Sequence, residues 1–362
     1  MIKDRLTAPQ VTVVLFGAVV GVGVLSLPRL VASKAGVDSW IDILLAGLIA
    51  ILIVSVISFI GTRYPEQSLI YYGPLLFGKW LGTLVLVIFL LYFLLFVGMV
   101  VRVSADVTKL FLLDLTPMEV IVIGLLSLST YVVQHGINAI ARFNELFQPL
   151  SLFLLLLVLT QTLRDADFGR LMPVLGDGLG PVLSGLPTTS FSFLGFEMLL
   201  FILPFMEKPK RSRTAAIVSL LFVTGLYTIV TVICIAVMGA PEVTLLLYPT
   251  LTVIKNIEVP GAFIERLDSI MMLVWIPFTV TTIMLYHYCA SLIASQMFKL
   301  QEQRVISMLF FPVVFLIAVL PRNDFEVSSL SDVISWVGMA MTIFTPLAMS
   351  VVYLLKNRRA KS

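Results

Sequence analysis

FSFLGFE, residues 191–197, lies in the middle of an apolar stretch and ends in a carboxylate two residues after a glycine. Both features are costly in a helix that crosses lipid. Glycine weakens a helix interior by about 1 kcal/mol, and an acid at mid-membrane costs on the order of 2.5–3.5 kcal/mol on the insertion scale. The wider stretch GLPTTSFSFLGFEMLLFILP (185–204) adds small and polar residues before the glycine and a proline some turns after it. A helix interrupted in lipid must satisfy its freed backbone groups through protein or a cavity. The carboxylate must likewise face the protein interior.

The rest of the chain fits a membrane setting. Of its 362 residues 59% are hydrophobic and 12% charged, with a mean hydropathy of +1.06. Soluble domains carry roughly 25% charged residues. Cys234 and Cys289 both fall in apolar runs, so no disulfide framework is expected. The opening MIKDRLTAPQ leads into an apolar run too long for a signal-peptide core, which reads as a retained first span.

A hydrocarbon core of ~30 Å needs about 20 apolar helical residues. Ten segments qualify: 8–30, 41–60, 81–101, 118–134, 146–163, 185–206, 214–238, 269–297, 305–320 and 333–355. Fifteen of the 24 basic residues then sort to one side, among them Lys3, Arg5, Arg63, Lys79, Lys299 and Lys361, together with the cluster KPKRSR (208–213). That side is expected to be cytoplasmic, and both termini with it. The acids agree, since Asp165, Asp167, Asp177, Glu242, Glu258, Glu265, Asp324 and Glu326 all fall outside. KPKRSR is read as a short cytoplasmic loop obeying the charge rule, and no nucleic-acid partner is expected.

Span 1 carries similar punctuation to span 6. FGAVVGVGVLSLP (16–28) contains Gly21, Gly23 and Pro28, as span 6 contains Gly195 and Pro204. Small residues at such positions also serve close helix packing. Paired interruptions five spans apart, however, point to an inverted repeat with a site at mid-membrane. Its halves are expected at 8–163 and 185–355, within one transmembrane domain covering 1–362. The broken ends would offer N–H groups to an anionic group and carbonyls to a cationic one. An α-amino acid carries both. Glu197, the one formally charged residue deep within a span, has three competing roles: structural anchor, partner of a ligand ammonium, or carrier of a coupling proton. In span 8, Trp275, Thr279, Thr282 and Tyr286 share one helical face, and hydroxyls there suit freed backbone groups or a ligand carboxylate. His287 on the adjacent face is given no role. No phosphate loop, metal-spaced Cys/His set or Ser-His-Asp constellation is present in the sequence, so neither an enzyme nor a cofactor or metal is expected.

GVGVLSLP and FSFLGFE resemble the broken-helix motifs of the amino acid–polyamine–organocation superfamily. AGVDSWIDILLAG (35–47), FGKWLG (77–82), FLLDLTP (111–117), MPVLGDGLGPV (172–182) and APEVTLLLYPTLTVIKNIEVPGAFIERLDSI (240–270) narrow this to the spore germination permease family, the B subunits of bacterial spore germinant receptors. The resemblance runs from about residue 6 to about 357. It implies ten transmembrane helices in a five-plus-five inverted repeat, all-α, with helices 1 and 6 discontinuous. It also implies a spore inner membrane location, an A-type membrane subunit and a C-type lipoprotein as partners, and a nutrient, often an amino acid, that triggers ion release. By position it places Gly21 and Gly23, Ser190, Phe193, Leu194 and Gly195, and Thr282 and Tyr286 around the ligand, with Phe96 as a further wall. The glycines and apolar walls favour a small neutral amino acid. Some proton-coupled superfamily members place a lysine in helix 5. Segment 146–163 has none, its polar groups including Ser151, Thr160 and Gln161, which argues against uptake driven through such a lysine. An ordinary secondary amino acid transporter is the alternative.

Overall fold

The computed structural model describes residues 5–21, 23–255, 267–300 and 302–359. Its first span is two helices. α1 (Ala8–Val20) starts at a capping box, in which Gln10 Oε1 accepts the Thr7 N–H at 2.9 Å and Thr7 Oγ1 accepts the Gln10 N–H at 3.4 Å. It stops at Gly21, and α2 (Gly23–Ala35) resumes beyond the break. Pro28 inside α2 removes the N–H that would serve the Val24 carbonyl. Thr250 Oγ1 takes its place at 2.9 Å.

The chain continues through α3 (Ser39–Gly61), α4 (Leu69–Phe77), α5 (Lys79–Phe111), α6 (Met118–Gln134) and α7 (Ile137–Thr162). The sixth span is α8 (Leu179–Phe191), an irregular turn, a 3-10 turn Phe196–Met198, then α9 (Leu199–Ile202) and a further 3-10 turn Leu203–Phe205 around Pro204. After it come α10 (Ser212–Met238), α11 (Ala240–Leu245), α12 (Pro249–Lys255), α13 (Leu267–Met297), α14 (Gln303–Val319) and α15 (Asp324–Arg359). The fold is all-α. Among the described residues the extended pairing is a single bridge, where Leu6 meets Met206 and ties the entry of α1 to the exit of the sixth span.

Among the described residues six helical runs are long and apolar enough to cross a membrane individually: Gly23–Gly61, Lys79–Phe111, Ile137–Thr162, Pro209–Met238, Met271–Met297 and Asp324–Asn357. The pair Leu179–Phe191 and Phe196–Phe205, bent by 50°, adds a seventh if it is one span, and Ala8–Val20, Met118–Gln134 and Gln303–Val319 are shorter apolar helices. Buried residues make up 89% of the apolar window of α13 but 28% of that of α15. α13 is therefore the core helix, packed against α1, α5, α6, α7 and α14.

Three helices outrun their apolar segments by nine residues or more. α5 continues ten residues past 101, where Arg102 Nε pairs with Asp106 at 2.9 Å across one turn. α7 begins nine residues before 146. α15 begins at Asp324 rather than 333, because NDFE (323–326) caps it: Asn323 Oδ1 accepts the Glu326 N–H at 2.9 Å. Hydropathy detects the lipid-facing length of a helix, whereas capping and ion pairs set its true ends. Lys3, Lys361, Glu258 and Glu265 of the charge argument, and 256–266 of the APEV stretch, lie outside the described residues.

Candidate functional site

The two interruptions meet. Gly195 adopts a φ of +130°, where an L side chain is strained, and a Cβ placed there would stand 2.8 Å from the carbonyl carbon and oxygen of Ala18. The bare face of Gly195 therefore seats the broken sixth helix on the end of α1. It does not line the cavity described below, although the family resemblance places it there.

Glu197 lies just beyond, fully buried. Its Oε2 accepts the Gly195 N–H at 2.7 Å, and its Oε1 accepts the hydroxyls of Tyr92 and Tyr286, both at 2.9 Å. Three donors from the sixth span, α5 and α13 thus converge on one carboxylate. Charge-assisted bonds of this kind contribute about 1.5–3 kcal/mol each, enough to offset much of its burial.

The carbonyls freed at the end of α1 are satisfied from two other helices. Thr282 Oγ1 of α13 donates to the Gly17 carbonyl at 2.7 Å, and Thr281 Oγ1 contacts it at 3.3 Å. From α10, the Tyr227 hydroxyl reaches the carbonyls of Val19 at 3.0 Å and Val20 at 3.4 Å, and that of Ser192 at 3.1 Å.

A cavity of about 770 Å³ opens beside this junction. Gly21, Gly23, Phe96, Leu194 and Thr282, all named by the family resemblance, line it. Tyr286 stands one layer back, its ring stacked on Phe96 with centroids 4.2 Å apart and planes 17° from parallel. Ser190 and Phe193 turn the other way and face a small separate cavity against α3 and α15, shared with Leu194. Ser190 faces it from within α8, and Phe193 from the irregular turn that follows. Trp275 and Thr279 are buried but do not line the cavity, and His287 passes its Nε2–H to the Ser307 carbonyl at 3.1 Å.

Several polar residues escaped the sequence reading. Arg29, Lys109, Asp106, Asp114, Asp324 and Asp332 ring the mouth of the cavity, and Ser328, Ser331 and Ser335 form a stripe on α15. Tyr248 belongs to the same wall. Burial pushes its hydroxyl up to about 12, with the Asp106 and Asp324 carboxylates adding to the shift and Arg29 opposing it, so it is a neutral donor at physiological pH. Asp42 is a second buried carboxylate, in the first turn of α3 rather than deep in its span. It is fully buried on α3, holding the Thr189 hydroxyl at 2.9 Å on Oδ2. Arg102 is also buried, giving Nη1 to the carbonyls of Pro321 at 2.6 Å and Ala318 at 3.3 Å. On α7, Asn144 and Gln148 are buried against Gly17, with Gln148 Nε2 donating to Thr281 Oγ1 at 2.6 Å. Gln148 lay within the apolar segment read from the sequence, and an amide among many aliphatic residues barely alters a hydropathy average. Among the described residues no three His, Cys, Asp or Glu side chains gather to hold a metal ion.

The chain matches the family described as spore germination protein across residues 5–327. It is 31% identical to spore germination protein YndE of Bacillus subtilis (strain 168) over 361 residues, covering 99% of each chain. Against spore germination protein B2 of the same organism it is 33% identical over 275 residues, covering 75% of this chain and 74% of that one. Among solved structures it superposes on MhsT in complex with L-phenylalanine with a TM-score of 0.69 at 14% identity, covering 98% of this chain and 99% of that one. On Mhp1, a nucleobase-cation-symport-1 family transporter, the TM-score is 0.68 at 12% identity, covering 99% and 80%. At such identities the likeness is one of fold.

Proposed function

The chain belongs to the spore germination protein family, and from that premise we propose that it is the germinant-binding B subunit of a spore nutrient receptor. The observation that carries this reading is the cavity at the meeting of the two helix breaks. The first turn of any helix leaves its N–H groups without intrahelical acceptors, and Gly23 and Ser26 of the first turn of α2 line the cavity. The carbonyl-bearing ends of α1 and α8 reach it as well, where Val19 and Ser192 line it. The N–H groups favour a carboxylate and the carbonyls an ammonium. Phe96, Val100, Phe191 and Leu194 add apolar wall. The ligand that fits this pattern is a small neutral amino acid.

In this reading the protein sits in the spore inner membrane with both termini cytoplasmic, and the cavity opens to the opposite side. Binding shifts a conformational equilibrium, which an A-type membrane subunit and a C-type lipoprotein turn into ion release. The alternative is a secondary transporter, since the fold is shared with proteins of that kind.

The test uses Val100→Phe. Val100 is a buried position on the regular part of α5 that lines the cavity, so a larger ring occupies the ligand space without disturbing either break. Spores carrying wild type or this variant are followed for amino-acid-triggered ion release, and membranes for uptake of labelled alanine and valine. Loss of triggered release at normal protein abundance, with no uptake by wild type, is the expected result. Strong wild-type uptake abolished by the variant, with germination unchanged, makes the protein a transporter.

A further inference from the structure

Tyr227 is the least expected member of the junction. It sits in the middle of α10, 1% exposed, its ring edge-on to Phe193 at 5.6 Å. Its hydroxyl meets three carbonyls from two different broken helices, those of Val19 and Val20 at the end of α1 and of Ser192 just past α8. A hydroxyl has one proton, whereas each carbonyl has two lone pairs. The three acceptors are therefore drawn together around a donor that cannot saturate them. An ordinary cap would serve the end of one helix. This one fastens two, and two of the three carbonyl-bearing residues, Val19 and Ser192, line the cavity. The chain also keeps room for the hydroxyl: a Cβ at Gly23 would stand 2.6 Å from it.

We propose that Tyr227 is the positioning residue for the ammonium half of the site: from behind the cavity its hydroxyl gathers the terminal carbonyls of α1 and α8, so that their remaining lone pairs converge on a ligand –NH3+. The assignment rests on the reading of the cavity as an amino acid site. It goes further in giving a residue on α10, outside the cavity wall, control over which functional group the site selects. Without the hydroxyl, the two chain ends lose their common partner and the carbonyls are free to diverge. The carboxylate pole at the start of α2 keeps its own N–H groups.

The experiment compares wild type with Tyr227→Phe, which keeps the ring and removes only the hydroxyl, in purified protein reconstituted into lipid nanodiscs. Binding of L-alanine and L-valine is measured directly. Isobutylamine (valine without its carboxylate) and isovalerate (valine without its amine) are measured as competitors of labelled L-valine. Amide hydrogen exchange of residues 15–21 and 189–196 is followed without ligand. The expected result is a dissociation constant for L-valine raised about fivefold to tenfold, the weight of one hydrogen bond. A matching loss is expected for isobutylamine, an unchanged constant for isovalerate, and faster exchange in both segments. Equal losses for isovalerate and isobutylamine would show a general disturbance of the pocket and overturn the assignment. So would an unchanged affinity for L-valine. If wild type binds neither amino acid, the reading of the cavity falls, and the ammonium assignment with it. Should Tyr227→Phe fail to accumulate, Phe193→Leu tests the same point by removing the ring against which Tyr227 is seated, and is expected to give the same selective loss of amine binding.

Discussion

Phe96 lies flat on Tyr286, and the Tyr286 hydroxyl holds Glu197. One face of this pair belongs to the cavity wall and the other ends at the carboxylate that fixes the Gly195 N–H. The cavity and the Glu197 carboxylate are thus separated by two side chains. A ligand that displaces Phe96 displaces a ring whose polar tip is tied to the break.

Tyr286→Phe keeps the stack and removes that tie. It is expected to leave binding of L-alanine or L-valine within about threefold of wild type, while the maximal germination response falls. A lost hydrogen bond to a buried acid costs about 1.5–3 kcal/mol, so abundance and melting temperature fall modestly as well. A normal maximal response in this variant would remove Tyr286 from signalling.

Glu197→Gln tests the carboxylate directly. Gln retains one acceptor oxygen for the two tyrosines but turns an NH2 toward the Gly195 N–H, so two donors oppose each other. We expect a loss on the order of 2 kcal/mol in stability and a weakened germinant response. A full response at normal protein level would show that the negative charge has no role.

Gly195→Ala combines backbone strain at φ +130° with a methyl against the Ala18 backbone. Strain of this kind costs about 1–3 kcal/mol before the clash is counted. The expected outcome is loss of the protein from the membrane fraction, seen by immunoblot. A well-expressed protein that only loses ligand binding would instead mean that Gly195 faces the ligand.

Arg102 and Asp106 should not be equivalent. Arg102→Ala removes the ion pair and leaves the Pro321 and Ala318 carbonyls without their donor, with an expected cost on the order of 3 kcal/mol. Asp106→Asn keeps both carbonyl contacts, and its cost is expected to be about 1 kcal/mol or less. Melting temperatures in one detergent check the order. Equal losses would place the stabilisation in the ion pair alone.

The spans and both breaks were legible because they are written locally, as long apolar runs, Gly195 and Gly21 within them, and Pro28 and Pro204 beyond. The site was legible in part. Gly21, Gly23, Phe96, Leu194 and Thr282 line the cavity, whereas Ser190 and Phe193, placed there by the family resemblance, line a smaller one against α3 and α15. Tyr227, Asp42 and Gln148 were missed for another reason. Each is a single polar residue in an apolar run, and its meaning depends on partners contributed by other helices: Val19 and Ser192, Thr189, and Thr281. Asn323 and Glu326 were readable as a cap, and would have placed the start of α15 nine residues earlier.

Pro28 and Thr250 carry a consequence for descent. A proline that deletes the donor to Val24 creates a demand that only the hydroxyl at position 250 meets here, across 222 residues of sequence. In a lineage where position 28 regains an N–H, the Val24 carbonyl is served within its own helix, and position 250 is released to drift toward valine or alanine. Loss of the hydroxyl first leaves a buried orphan acceptor, so the permitted order of change runs from 28 to 250 and not the reverse.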